Sequence, residues 1–211
     1  MHRSLIASSL AAASLIGLAG LAGWTHAETA AVSRATDTRV YTVDTVHSSL
    51  VFKIRHAGLA NFYGRFNDFT GEIHFDQDEP ANSRMSFTVQ TGSVDTGNSN
   101  RDAHLRNADF FNSRQYPTIT FTSTGIKQAG ENEYEVTGDL TLQGETRPIT
   151  ARLTDVTTGK VRENDALGFE ATFSIKRSDF GMNTFMAPDK GEDGALGNTV
   201  GLTVSVEAVA K

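Results

Sequence analysis

The sequence predicts an all-β domain of about eight antiparallel strands, with one short α-helix inserted between two of them. Apolar and polar residues alternate with period two along eight separate stretches after Val40, the pattern of strands with one buried and one wet face. Most links between these stretches are of hairpin length. One internal run, residues 95–117, breaks the alternation and has helical spacing instead.

Residues 1–27 read as a secretory signal: Arg3 supplies the positive start, residues 5–21 the apolar run, and Thr25-His26-Ala27 a small-x-small cleavage site. The apolar run is nearly long enough to span a bilayer, but it is rich in Ala, Ser and Gly and a cleavage site follows it. We therefore expect a mature chain beginning at Glu28, free of stable membrane insertion, in the periplasm. The chain has no cysteine, so export serves no disulfide framework. Of 19 Lys and Arg, one lies in the leader, which leaves 18 against 25 acidic residues and a net charge of −7. That balance argues against nucleic acid and anionic membrane surfaces as partners. Residues 28–39 are small, polar and aperiodic, a flexible lead-in. Residues 40–211 are expected to form a single domain.

In the first strand Leu50, Phe52 and Ile54 alternate with Val51, Lys53 and Arg55, and His56 falls in phase with the apolar set. The second, residues 64–76, loses its phase around Phe66, Phe69 and Gly71, where a bulge or sharp bend is expected. Met85, Phe87 and Val89 mark the third strand; Ile119, Phe121 and Ser123 the fourth. Tyr134 to Leu142 and Ile149 to Leu153 form the fifth and sixth, a hairpin turning near Gly144. Leu167 to Ile175 and Val200 to Val206 are the seventh and eighth. Between these two lies a long Gly-rich loop, residues 178–198, of a length that is either functional or mobile. Periodicity alone leaves a sandwich and a barrel both open. Strands of about nine to twelve residues, longer than the usual five or six, and uniformly apolar inner faces favour the barrel, whose interior at eight strands is filled or holds one small ligand.

Within residues 95–117, Ser99 is placed to cap a helix and Asp102 puts a carboxylate in its first turn. Leu105, Ala108 and Phe110 or Phe111 give an apolar face, and Tyr116-Pro117 returns the chain to extended structure. Adjacent helical residues lie about 100° apart. At most one of Phe110 and Phe111 should point straight inward unless the helix ends there.

Several motifs occur in order: Tyr41-Thr42-Val43-Asp44 with His47-Ser48, Phe52-Lys53-Ile54-Arg55-His56, Gly64-Arg65-Phe66, Asp95-Thr96-Gly97-Asn98, Arg101-Asp102-Ala103-His104-Leu105, Asp109-Phe110-Phe111, Gly138-Asp139-Leu140-Thr141 and Asp179-Phe180-Gly181. Together they resemble the YceI family of bacterial periplasmic proteins. The resemblance implies an extended, eight-stranded, lipocalin-like antiparallel β-barrel whose tunnel takes an isoprenoid lipid, an isoprenoid quinone or another long-chain amphiphile. It also implies no catalytic activity, no cofactor beyond that ligand, and a possible homodimer. Lipocalins themselves carry a Gly-x-Trp, and no Trp follows Trp24, so that kinship would be architectural.

The inward phase supplies Phe52, Ile54, Phe66, Phe87, Val89, Phe121, Leu140, Leu142, Ile149, Leu153, Phe169, Phe173, Ile175, Leu202 and Val204, with His56 at one end. Residue pattern alone favours a filled core over a tunnel wall, since most apolar stripes are core; the resemblance implies the tunnel, and the helical insertion with Phe111 is then expected to close it. Arg101 and Arg177 are candidates to face a head group, or to serve structure only. His47, His56, His74 and His104 lack zinc-site spacing, so no metal is expected. An enzyme would need His47 with Ser48 or His104 with Asp102, yet neighbours on a strand face opposite ways and there is no Gly-x-Ser-x-Gly elbow.

Overall fold

A computed structural model describes residues 38–189 and 191–210. The signal segment, and the lead-in as far as residue 37, lie outside the described residues. The strands are β1 (Arg39–Val43), β2 (Ser49–His56), β3 (Ala60–Phe66), β4 (Phe69–Phe75), β5 (Arg84–Gln90), β6 (Val94–Asp95), β7 (Thr118–Gly130), β8 (Glu133–Leu142), β9 (Glu145–Val161), β10 (Asn164–Lys176) and β11 (Leu196–Ala210), with helix α1 (Ser99–Leu105). Arg39, placed in the lead-in by its sequence, begins β1.

These eleven segments make eight staves, because three staves are interrupted. β11 pairs along one edge with both β2 (Ser205↔Ser49) and β1 (Ala208↔Val43). β2 pairs with β3 and β1 with β4, so β3 and β4 are likewise one stave. β5 and β6 continue each other against β4 and β3. From β5 the ladder runs antiparallel through β7, β8, β9 and β10 to β11 and closes on β1. The result is an eight-stranded up-and-down barrel, as the long strands, the apolar inner faces and the family resemblance predict.

The interruptions have local causes. Between β1 and β2 the chain bends outward opposite Glu207; its carbonyl accepts from the Asp44 N–H at 2.8 Å and its N–H donates to Ser48 Oγ at 3.0 Å. The break between β3 and β4 falls at residues 67–68 and turns both Phe66 and Phe69 inward, though they are three apart. This is the phase disturbance seen in the sequence. The β8–β9 turn is a two-residue connection with both φ angles positive, Gln143 at 52° and Gly144 at 81°. Such a turn matches the strand twist and favours Gly in its second place.

One wall is incomplete. The β9–β10 ladder ends at Arg152↔Thr172, so residues 145–151 pair only with β8, and residues 173–176 only with β11. Pro148 sits in this unpaired half of β9, where an edge without a ladder tolerates a residue that lacks an N–H. A 3-10 turn, Arg177–Phe180, packs at the seam.

The barrel is packed unequally. At one end Tyr41, Ile73, Phe75, Tyr134, Val156 and Leu167 are buried together, with Phe75 and Tyr134 edge to face at 5.6 Å. At the other end lie α1, the β2–β3 and β8–β9 turns and the loop before β11.

Two expectations for the insertion are corrected. Asn98, not Ser99, caps α1: its side chain accepts from the Arg101 N–H at 3.0 Å. The helix stops at Leu105, and residues 106–116 are successive turns held by bonds such as Phe111 N–H to the Leu105 carbonyl at 2.9 Å. With the helix ended, the 100° restriction no longer applies, and Phe110 and Phe111 both turn inward.

Candidate ligand-binding tunnel

The hollow part of the barrel consists of two chambers. The inner one, about 100 Å³, lies at mid-barrel and has a wall made only of apolar side chains. The outer one, about 140 Å³, lies under α1. Phe66, Ile119, Leu140 and Leu202 line both, so the two adjoin, with only side chains between them. Each far exceeds the roughly 10–15 Å³ that a single water needs, and the inner wall offers water no hydrogen bond.

Phe66, which lines both chambers, has Phe52 at 5.7 Å and Phe111 edge-on at 5.3 Å. Glycines keep the passage open. Phe52 lies over its cross-strand partner Gly64, Phe87 over Gly71 and Phe121 over Gly138; a Cβ at these glycines would come within 2.3, 2.6 and 2.4 Å of the respective rings. The rings therefore lie close on the wall, an approach that any larger residue would block.

The inner chamber holds Phe87, Val89, Phe121, Ile149, Phe169 and Phe173, with Leu153 and Val204; the outer holds Phe52, Ile54, Arg101, Phe111, Leu142, Ile175 and Arg177; Phe66, Leu140 and Leu202 belong to both. His56 is corrected: it is exposed at the end of β2 and lines neither chamber. Its apolar phase runs out where the strand leaves the barrel for the β2–β3 turn. Sequence reasoning put Leu105 and Phe110 on the insertion's apolar face without assigning them to the wall, and missed Phe62, Met182 and Leu196 there. Phe62 was accessible, because counting back by twos from Phe66 through Gly64 reaches it. The others sit in the insertion or at the ends of the late loop, where no period-two signal exists.

The two arginines differ. Arg177 is 2% exposed and donates to four carbonyls, those of Gly197 (2.8 Å), Met182 (3.0 Å), Thr184 (2.8 Å) and Leu196 (3.0 Å). Burial pushes its pKa down from the ordinary arginine value, with the negative charge of Glu192 opposing. It fastens both ends of the late loop to the barrel. Arg101 is exposed, with its guanidinium 4.3 Å over the Phe62 ring and with Nε and Nη2 both donating to Thr96 at 2.8 Å. Asp102 is buried and accepts from the Thr96 N–H at 2.9 Å, so it orders the approach to α1.

The pairs an enzyme would need are otherwise engaged. His47 Nδ1 lies 2.8 Å from Asp44 and 3.7 Å from Glu207, which raises the histidine pKa chiefly through the Asp44 hydrogen bond, while Ser48 serves the Glu207 backbone. The His104 ring is 3.1 Å from Asp109, away from Asp102's hydrogen bonds to Thr96.

The YceI-like domain family matches residues 41–208. Protein YceI of Escherichia coli O157:H7 is 42% identical over 164 residues, covering 77% of this chain and 82% of that protein. Among solved structures, the Campylobacter jejuni YCEI protein superposes with a TM-score of 0.62 at 32% identity, covering 75% of this chain and 91% of that one. BcnA of Burkholderia cenocepacia gives 0.66 at 26% identity, covering 78% and 98%. A polyisoprenoid binding domain from Saccharophagus degradans gives 0.59 at 16% identity, covering 81% and 98%, a likeness of fold. With the family matched over most of its length, and sharing a barrel with these proteins, the chain belongs to the YceI-like family.

Proposed function

We propose that this protein is a periplasmic binding barrel that sequesters or carries an isoprenoid lipid or isoprenoid quinone, its chain in the two chambers and its head group at the end covered by α1 and the late loop. The observation that carries this reading is an inner chamber walled by apolar side chains alone and adjoining an outer one. The name of the Saccharophagus degradans domain, a polyisoprenoid binder, supports the ligand class. Burial of each methylene contributes about 0.8 kcal/mol, so a five-carbon isoprene unit contributes about 4 kcal/mol before losses. Association costs about 4–15 kcal/mol, which a few units offset. Chain length, more than head-group chemistry, then sets affinity. Native mass spectrometry of the intact protein, followed by organic extraction, tests this: an amphiphile should be recovered. Recovery of none, with no uptake of added ubiquinone or polyprenol, would overturn it.

The absence of polar groups from the inner wall also favours a broader role, capture of diverse hydrophobic molecules, antibiotics among them, during envelope stress. Competition separates the two. Comparable displacement by unrelated amphiphiles supports broad capture, and strong preference for prenyl chains supports the isoprenoid carrier.

A further inference from the structure

The seam between β9 and β10 leads somewhere. Outside it lies a groove of about 440 Å³, walled by Arg147, Pro148 and Thr150 of β9 on one side and Ser174 and Lys176 of β10 on the other. Ile149 and Ile175 line this groove and also line the inner and outer chambers respectively. The groove and the tunnel are thus separated by side chains alone, with no ladder of backbone hydrogen bonds between them. The side chain that fills the gap is Phe180 of the 3-10 turn, 1% exposed and packed with Leu140, Leu142 and Met182.

The groove differs from the tunnel in carrying charge. Arg147 is exposed on β9 in the same strand phase as Ile149; one Nη is held by Glu145 at 2.9 Å and the other donates to the Thr146 carbonyl at 2.8 Å. Lys176 is exposed and has no ion-pair partner among the described residues. Glu145 offsets the charge of Arg147, and Asp179 adds a second carboxylate to the groove wall. At the α1 side Arg101 likewise commits two nitrogens, Nε and Nη2, both to Thr96.

We infer that the β9–β10 seam is a lateral opening of the tunnel and that the groove outside it is a subsite for an anionic head group, a phosphate or carboxylate, held by Arg147 and Lys176 while the apolar chain runs inward past Ile149 and Ile175. This rests on the proposed lipid-binding role and places the polar end of an anionic ligand at the seam, and not under α1. Phe180 is the side chain that must shift as the chain passes.

The test compares a prenyl phosphate with the prenyl alcohol of the same chain length, titrated into wild type, the Arg147→Gln/Lys176→Gln double variant, Arg101→Gln and Asp179→Asn. The double variant should bind the phosphate about tenfold more weakly and the alcohol unchanged, a contrast that loss of folding would not give. Asp179→Asn should bind the phosphate more tightly, and Arg101→Gln should leave the phosphate-to-alcohol ratio unaltered. A ratio that falls in Arg101→Gln and not in the double variant would overturn the seam subsite. If wild type binds neither compound, the lipid-binding role itself fails, a different result from an unchanged ratio.

Discussion

The glycine under Phe52 offers a sharp test of whether the open interior matters. In Gly64→Ala the new methyl would lie 2.3 Å from Phe52 Cζ and 2.8 and 2.9 Å from the two Cε atoms. Carbon atoms rest at about 3.5–4 Å, so the ring must retreat by roughly 1 Å or more. The wall is behind it, and the space in front is the outer chamber of about 140 Å³. Displacing the equivalent of one to two methylenes of ligand loses about 0.8–1.6 kcal/mol, a Kd increase of about 4–15-fold. Gly159→Ala is the control, since a Cβ there meets nothing within 4 Å. Gly138 is less clean, because its Cβ would also meet the Thr122 carbonyl at 2.5 Å and strain the backbone. Fluorescence titration with a labelled prenyl chain reads the affinity, and a thermal melt reports stability. Wild-type affinity in Gly64→Ala, or an equal loss in Gly159→Ala, would refute the reasoning.

Phe111→Asp puts a charge in the outer chamber wall and should impair ligand retention far more than Asn107→Asp on the exposed side; dissociation rates compare them, and equal effects would remove the insertion from the tunnel. Arg177→Met leaves four carbonyls without their donor and should cost about 3 kcal/mol, a fall in Tm of about 6–12 °C, with protease cleavage appearing first in residues 181–196. Asp95 is held down to about 2, from 3.8, mainly by the Asn67 side chain, then by the Gly97 N–H and Arg65. Its contribution is therefore complete above about pH 4 and is lost as pH falls through about 2. Urea unfolding of Asp95→Asn should show a deficit at neutral pH that closes over that window; a deficit that persists at low pH would contradict it.

Strand character was legible because inner and outer residues alternate, and the Phe66–Gly71 disturbance marked a real break between β3 and β4. The bend between β1 and β2 was not, since it depends on Glu207, about 160 residues away in sequence, whose backbone Asp44 and Ser48 satisfy. The helix boundary failed for a local reason: Leu105, Ala108 and Phe111 are spaced as a helix would space them, yet backbone bonds after Leu105 close as irregular turns. Arg177 looked equally suited to a head group or to structure; only its four carbonyl partners, supplied by the loop it ties down, decide for structure. The seam was invisible because Ile149 and Ile175 keep the inward phase whether or not their strands are bonded to each other.

The central claim is that an apolar interior binds an apolar chain by length. It is tested most directly by titrating a series of prenyl alcohols of increasing length into the protein freed of bound lipid. Affinity should rise by at least tenfold per added isoprene unit, at one ligand per barrel, and then level off once the two chambers are filled. Affinity that does not change with length would contradict it.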